Sequence, residues 1–92
     1  MNKNLYAALQ PNCDADIILM DGDNVYRCYI MPGYEQKPDD PPVEELPIWR
    51  IELVKRIEVG SSEIYHRLYP NGISGFCFAA AHCQSYTYEF RK

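Results

Sequence analysis

The chain has 92 residues, which is the size of a single domain and leaves no room for a second hydrophobic core. Hydrophobic residues make up 47% of the sequence, charged residues make up 24%, and the formal net charge is -4. This balance excludes a disordered, collagen-like or coiled-coil chain, and residues 1–92 are expected to fold as one globular domain.

The first residues predict a short helix and no secretory signal. Asn2 or Asn4 is suited to cap a helix over residues 5–9. Pro11 would end this helix, because proline cannot continue the hydrogen-bond ladder. No apolar stretch of the kind found in signal peptides follows, and the longest strictly apolar run, at residues 17–20, is far shorter than the roughly 20 residues that span a bilayer. We therefore expect a cytoplasmic protein without a membrane segment.

A β-hairpin is predicted next along the chain. Residues 15–20 and 24–31 are apolar or alternating runs, and Asp21, Gly22 and Asp23 join them. An Asp-Gly pair between two such runs is a strong hairpin signal, because glycine adopts the positive φ that tight turns need. We therefore expect two antiparallel strands here.

Residues 32–47 form an acidic, proline-rich segment. It holds five of the seven prolines, which exclude both a central strand and a regular helix. Its five acids stand against one lysine, and residues 14–45 as a whole carry nine acids and two basic residues. The negative charge of the chain is therefore concentrated here. A loop of this length is typical of a functional or a disordered segment.

Residues 48–59 alternate with the period of a strand. The odd positions are Trp49, Ile51, Leu53, Lys55, Ile57 and Val59, and the even positions are Ile48, Arg50, Glu52, Val54, Arg56 and Glu58. The odd positions are apolar except for one lysine, whereas four of the six even positions are charged. On a helix the same apolar side chains would scatter around the whole circumference. The pattern therefore predicts a strand with one apolar and one polar face.

Three more strands are predicted after this one. A glycine-serine turn leads into residues 62–69, a proline-asparagine-glycine turn leads into residues 73–79, and residues 85–91 alternate again. The predicted fold is mainly β, of the α+β class. It is an antiparallel meander of about six strands that forms a curved sheet or small open barrel, with the short helix at its start. An edge strand of such a sheet can pair with a second copy, which would give a homo-oligomer.

The acidic proline-rich loop is the first candidate for a functional surface. Its prolines reduce the entropy lost on docking, and its charge favours a basic partner and speeds encounter at low salt. We expect a small non-catalytic protein-binding module that covers a basic, nucleic-acid-binding surface of a larger protein, as an inhibitor or accessory factor of a phage or mobile element would. The residues predicted to contact the partner are Tyr34, Glu35, Asp39, Asp40, Glu44 and Glu45, with Tyr34 as an aromatic anchor. A solvated linker is the alternative interpretation of this segment.

A second hypothesis places the function on the sheet, as a site for a small ligand or a single-stranded nucleic acid. Tyrosine rings can stack bases and arginines can contact phosphates. The residues predicted for this site are Arg50, Tyr65, Arg67 and Tyr69. Nucleic acid is the less favoured partner, because neutralising phosphates supplies most of such affinity and the net charge here is -4.

A third hypothesis is a thiol or metal-dependent enzyme. Side chains of the types that bind zinc occur at His66, Cys77, His82 and Cys83. No Cys-x-x-Cys pair occurs, and adjacent His82 and Cys83 would point to opposite sides of an extended chain. Cys83 is expected to be the exposed thiol, whereas Cys28 and Cys77 are expected to be buried strand residues. We therefore predict no metal, no cofactor and no catalytic residue. The cysteines are expected to be free thiols, with two disulfides as the alternative in a secreted chain.

Overall fold

The computed structural model describes residues 15–92 of the chain. Five strands form, namely β1 (Ile17–Asp21), β2 (Asn24–Ile30), β3 (Trp49–Val59), β4 (Ser62–Pro70) and β5 (Tyr88–Glu89). The helical elements in this range are two 3₁₀ turns, Val43–Glu45 and Ala80–His82. The helix predicted over residues 5–9 lies outside the described residues. No helix formed by residues 15–92 is long and apolar enough to cross a membrane.

The five strands lie side by side in chain order in one antiparallel sheet. This arrangement confirms the prediction of a mainly β protein built as an antiparallel meander. The sheet is not closed, because β1 and β5 lie at its two edges and no pairing within the described part of the chain joins them.

Two tight turns build the hairpins of this sheet. Asp21 pairs with Asn24, and Val59 pairs with Ser62, so two residues make each turn. The first residue of each turn is a glycine with a φ of 61° or 62°, a backbone conformation that glycine adopts without steric cost. Both turns predicted from the sequence are therefore confirmed.

The prediction of a sixth strand at residues 73–79 was wrong. In this stretch only Phe78 pairs with the sheet, through Trp49 N to Phe78 O (2.9 Å) and Phe78 N to Trp49 O (3.1 Å). Pro70 has no N–H to extend a ladder, and the two residues after it have φ of 52° and 75°, so the chain turns away from its own strand. β5 pairs with the end of β4 instead, and it has two residues where the sequence predicted seven.

The two predicted faces of β3 are present. Trp49, Ile51 and Leu53 are buried in the core, and the exposed Val59 shows that the strand runs beyond it. The even positions of β3 share a face with side chains of the neighbouring strands, because paired residues point to the same side of a sheet. We call this side the polar face, and its central members are Arg27, Tyr29, Arg50, Glu52, Arg67 and Tyr69.

The hydrophobic core lies on the opposite face of the sheet, where residues 71–87 between β4 and β5 pack over it and form the covering segment. Its buried members are Tyr26, Cys28, Trp49, Ile51, Leu53, Phe78, Ala80 and Cys83. Two tyrosines hold the covering segment in place, since Ala79 N donates to Tyr86 Oη (2.9 Å) and Tyr88 Oη donates to the Cys83 carbonyl (2.5 Å). This packing fills the face of the sheet that lies opposite the polar face.

Candidate protein-binding loop and polar face

The acidic segment lies within residues 31–48, which connect β2 to β3. Met31 N donates to Ile48 O (3.0 Å) and closes the base of this loop. Further along, Trp49 Nε1 donates to Val43 O (2.9 Å), and the Val43 side chain packs against the core. The loop is therefore fastened to the folded domain at its base and again in its second half.

Asp40 organises the first half of the loop. Its Oδ2 accepts hydrogen bonds from Lys37 N (2.9 Å) and from Tyr34 Oη (3.2 Å). Loss of solvation, followed by the hydrogen bond to Asp40, raises the pKa of Tyr34. Gln36 Nε2 donates to Pro41 O (3.0 Å) and ties the same turn together. Asp40 thus lies inside the turn as an acceptor, and the half-buried Tyr34 is held by it.

The other four predicted acids of the loop are exposed, namely Glu35, Asp39, Glu44 and Glu45. Within residues 15–92, none of them forms an ion pair. Lys37 is the one basic residue of the segment and is itself exposed. The loop therefore presents negative charge that its surroundings in the described fold do not neutralise, and such a field attracts cationic surfaces.

Glu52 lies at the centre of the polar face and is only 3% exposed. Arginine nitrogens approach its carboxylate to 3.6 Å from Arg27, 3.3 Å from Arg50 and 3.7 Å from Arg67. The hydroxyls of Tyr29 and Tyr69 donate to it at 3.1 and 3.2 Å. A buried carboxylate is tolerated only with partners of this kind, because removing its hydration costs several kcal/mol.

Tyrosine rings support the same arginines. The Arg50 guanidinium carbon lies 5.3 Å from the centre of the Tyr29 ring and 5.8 Å from the centre of the Tyr69 ring. These distances allow cation–π attraction, which restricts where the guanidinium can point. Arg50 and Arg67 both pair with the Glu52 carboxylate, and the exposed fraction of the side chain is 30% for Arg50 and 62% for Arg67. Positive charge therefore reaches the surface here.

Arg56 forms a second cluster further along the polar face, with the opposite balance of charge. It pairs with Asp23 at 3.3 Å, with Glu63 at 2.8 Å and with Glu58. The hydrogen bond to Glu63, followed by the one to Glu58, raises the pKa of the guanidinium. Three carboxylates around one arginine leave no positive charge at this end of the face for an anionic ligand.

The four residues of the sheet hypothesis share the polar face but divide between the two clusters. Arg50, Arg67 and Tyr69 gather at Glu52, whereas Tyr65 donates to Glu63 (2.7 Å) in the Arg56 cluster. Glu52 itself was not predicted from the sequence, and neither were its partners on β2, Arg27 and Tyr29. Their signal was the alternation of polar residues along β2, which becomes informative only when the pairing register with β3 is known.

The candidate zinc ligands of residues 15–92 do not gather at one metal site, namely His66, Cys77, His82 and Cys83. The expectation that Cys83 is exposed and Cys77 buried was wrong, because the 3₁₀ turn Ala80–His82 folds Cys83 into the core and leaves Cys77 exposed. The His66 ring contacts the Phe90 ring at 5.2 Å between centres. In the described part of the chain, no group of three or more His, Cys, Asp or Glu side chains is placed to hold a metal ion.

Comparison with protein-family models, with curated proteins and with solved structures gives no match for this chain.

Proposed function

We propose that this protein is a small, non-catalytic binding module of the cytoplasm whose acidic loop covers a basic, nucleic-acid-binding surface of a larger protein. In this role it acts as an inhibitor or accessory factor, of the kind that phages and mobile elements encode. The loop carboxylates take the place of nucleic-acid phosphates on the partner, and the polar face serves mainly to stabilise the sheet.

The observation that carries this proposal is the contrast between the loop and the sheet. The exposed loop acids form no ion pair within the described fold, whereas the arginines of the polar face are all engaged with carboxylates. The Asp40 turn and the bond from Trp49 to Val43 order the loop before it meets a partner. Ordering in advance lowers the entropy lost on binding, and unpaired surface charge speeds association with an oppositely charged surface.

Neutralising the exposed loop acids is expected to abolish partner capture. The variant changes Glu35, Glu44 and Glu45 to glutamine and Asp39 to asparagine, and it keeps Asp40 because that residue holds the turn. In affinity capture from host lysate, the variant should recover at least about tenfold less of the wild-type partner. The captured partner should also be released by added salt and by a competing DNA fragment, because both oppose charge pairing.

A control variant with the same change of net charge distinguishes the effect of the loop charges from the effect of the overall charge. It changes Asp21 and Asp23 to asparagine and Glu58 and Glu89 to glutamine, all of which are exposed and lie outside the loop. This control should recover the partner as the wild type does, apart from a modest change in rate. Equal recovery by the loop variant and the wild type, with both folded by circular dichroism, would remove the proposal.

The excess of arginine at Glu52 supports a second candidate function, which is binding of a small anionic ligand or a single-stranded nucleic acid. Arg50 and Arg67 have Glu52 as their only acidic partner among residues 15–92, and Arg67 is largely exposed. A labelled single-stranded oligonucleotide would then bind at low salt, and Arg67→Ala would reduce the slope of log affinity against log salt by about 0.7.

Arg91→Ala is the matched control for this second candidate, because Arg91 is an exposed arginine in the chain segment after β5. Tyr69 is unsuited to the test, since its hydroxyl bonds to the buried Glu52 and its loss would destabilise the fold. Binding that weakens equally in Arg67→Ala and Arg91→Ala would reflect general charge, and absence of binding at low salt would eliminate this candidate.

A further inference from the structure

Cys28 and Cys83 lie in the same part of the core although they are far apart in the sequence. Cys28 lies on β2, where it is fully buried, and Cys83 directly follows the 3₁₀ turn Ala80–His82 and is 5% exposed. Both belong to the same hydrophobic cluster, and both are free thiols. Cys28 therefore belongs to the sheet, and Cys83 belongs to the segment that covers it.

Within this cluster, a hydrogen bond with Cys28 lowers the pKa of Cys83 to about 7, although burial opposes the shift. The backbone N–H groups of Cys83 and Gln84 also favour the thiolate of Cys83. The same hydrogen bond, followed by burial, raises the pKa of Cys28. Cys83 is therefore suited to act as the nucleophile, and Cys28 is suited to be the thiol that completes the exchange.

We propose that Cys28 and Cys83 form a reversible disulfide when a small-molecule disulfide such as oxidised glutathione is present, and that this bond fastens the covering segment to the sheet. This pair is proposed because both thiols are buried in the same core cluster, Cys28 on the sheet and Cys83 on the segment that covers it. Cys77 is exposed and lies outside the cluster, so it is expected to react with the oxidant without closing a bond to Cys28.

The exchange proceeds in two balanced steps. The Cys83 thiolate attacks one sulfur of oxidised glutathione, forms a mixed disulfide and expels one glutathione thiolate. Cys28 then loses its proton, attacks the Cys83 sulfur and expels the second glutathione. Two protein thiols are oxidised to one disulfide, and one oxidised glutathione is reduced to two glutathione molecules. Since both sulfurs are buried, closure should be slower than the reaction of the exposed Cys77.

The bond would stabilise the protein by restricting its unfolded state. It closes a loop between positions 28 and 83, and a long closed loop removes more entropy from the unfolded chain than a short one does. For a domain of this size, the oxidised form should melt about 10 °C or more above the reduced form.

The test uses the full chain with Cys13→Ser and Cys77→Ser, so that only the proposed pair remains. After treatment with oxidised glutathione, mass spectrometry should show a protein lighter by the two thiol hydrogens and resistant to alkylation. Its melting temperature should be higher than before treatment and should fall back on addition of a reductant. In the wild type, digestion without reduction should yield a peptide that joins Cys28 to Cys83.

A matched variant that also carries Cys28→Ser should not close, should stop at a mixed disulfide with glutathione or stay reduced, and should show no rise in melting temperature. Three results would overturn the proposal. They are persistence of two alkylatable thiols in the paired variant, accumulation of glutathione adducts without closure, and a wild-type digest in which Cys28 or Cys83 is joined to another cysteine.

Discussion

Replacing Glu52 by alanine is expected to lower the free energy of unfolding by about 3–5 kcal/mol. The carboxylate is buried among three arginines and two tyrosine hydroxyls, so its removal leaves positive charges close together without the negative charge that lies between them. A domain of this size has a total stability of about 5–15 kcal/mol, so the loss removes a large part of it. Urea unfolding followed by the fluorescence of Trp49, the single tryptophan, measures the change.

Glu58→Ala is the control for this prediction, because Glu58 lies on the same strand and the same face but its side chain is 63% exposed. Its partner Arg56 keeps two other carboxylates, so the free energy of unfolding should fall by less than about 1 kcal/mol. Glu52→Gln keeps the shape of the side chain and removes its charge, and it should cost nearly as much as Glu52→Ala. Equal losses for Glu58→Ala and Glu52→Ala would contradict the account of the polar face.

Trp49→Ala is expected to cost about 3–5 kcal/mol, the range found for buried aromatic residues. Trp49 is 2% exposed, pairs with Phe78 through the backbone and donates its indole N–H to Val43 O. The change opens a cavity in the core and also releases the loop from its attachment. Urea unfolding followed by circular dichroism measures the effect, since the fluorescence signal is lost with the residue.

Trp49→Phe separates the two roles of this side chain. It keeps an aromatic ring in the core but removes the N–H donor, so the loss of stability should be about 1–3 kcal/mol. Hydrogen exchange should quicken at the amides of Glu45 and Leu46, which donate within the 3₁₀ turn of the loop. Phe90→Ala is the matched aromatic control. Phe90 is 62% exposed, so its replacement should lower the free energy of unfolding by about 0.5 kcal/mol. Unchanged exchange in Trp49→Phe would show that the indole does not anchor the loop.

Much of the sheet could be predicted from local sequence pattern. The strict alternation from Trp49 to Val59 and the glycine turns at Gly22 and Gly60 specify strand and hairpin with little dependence on distant residues. Neighbouring strands joined by short turns pair with each other, so the pairings of β1 with β2 and of β3 with β4 followed from these elements alone. The prediction was weakest where pairing depends on distant parts of the chain.

The segment after β4 shows why this part could not be predicted. Residues 73–79 have strand-like composition, but the positive φ values after Pro70 turn the chain away from β4. Phe78 then pairs through its backbone with Trp49 on β3. Strand formation here depends on which edge is free in three dimensions, and the sequence does not show this.

The candidate site was predicted as a region, but the roles within it were not. In the sequence Asp40 is one of five equivalent acids of the loop, and only the fold makes it an internal acceptor for Lys37 and Tyr34. Glu52 likewise looks like any charged residue at a polar position of a strand. Its burial follows from the arginines and tyrosines that the register of three strands brings around it.

The most direct test of the central claim is a hydrogen-exchange footprint of the captured partner on this protein. The proposal predicts that slowed exchange on partner binding is confined to residues 34–45 and the adjoining start of β3. Slowed exchange centred on β4 around Arg67, with residues 34–45 unchanged, would contradict the acidic loop as the binding surface.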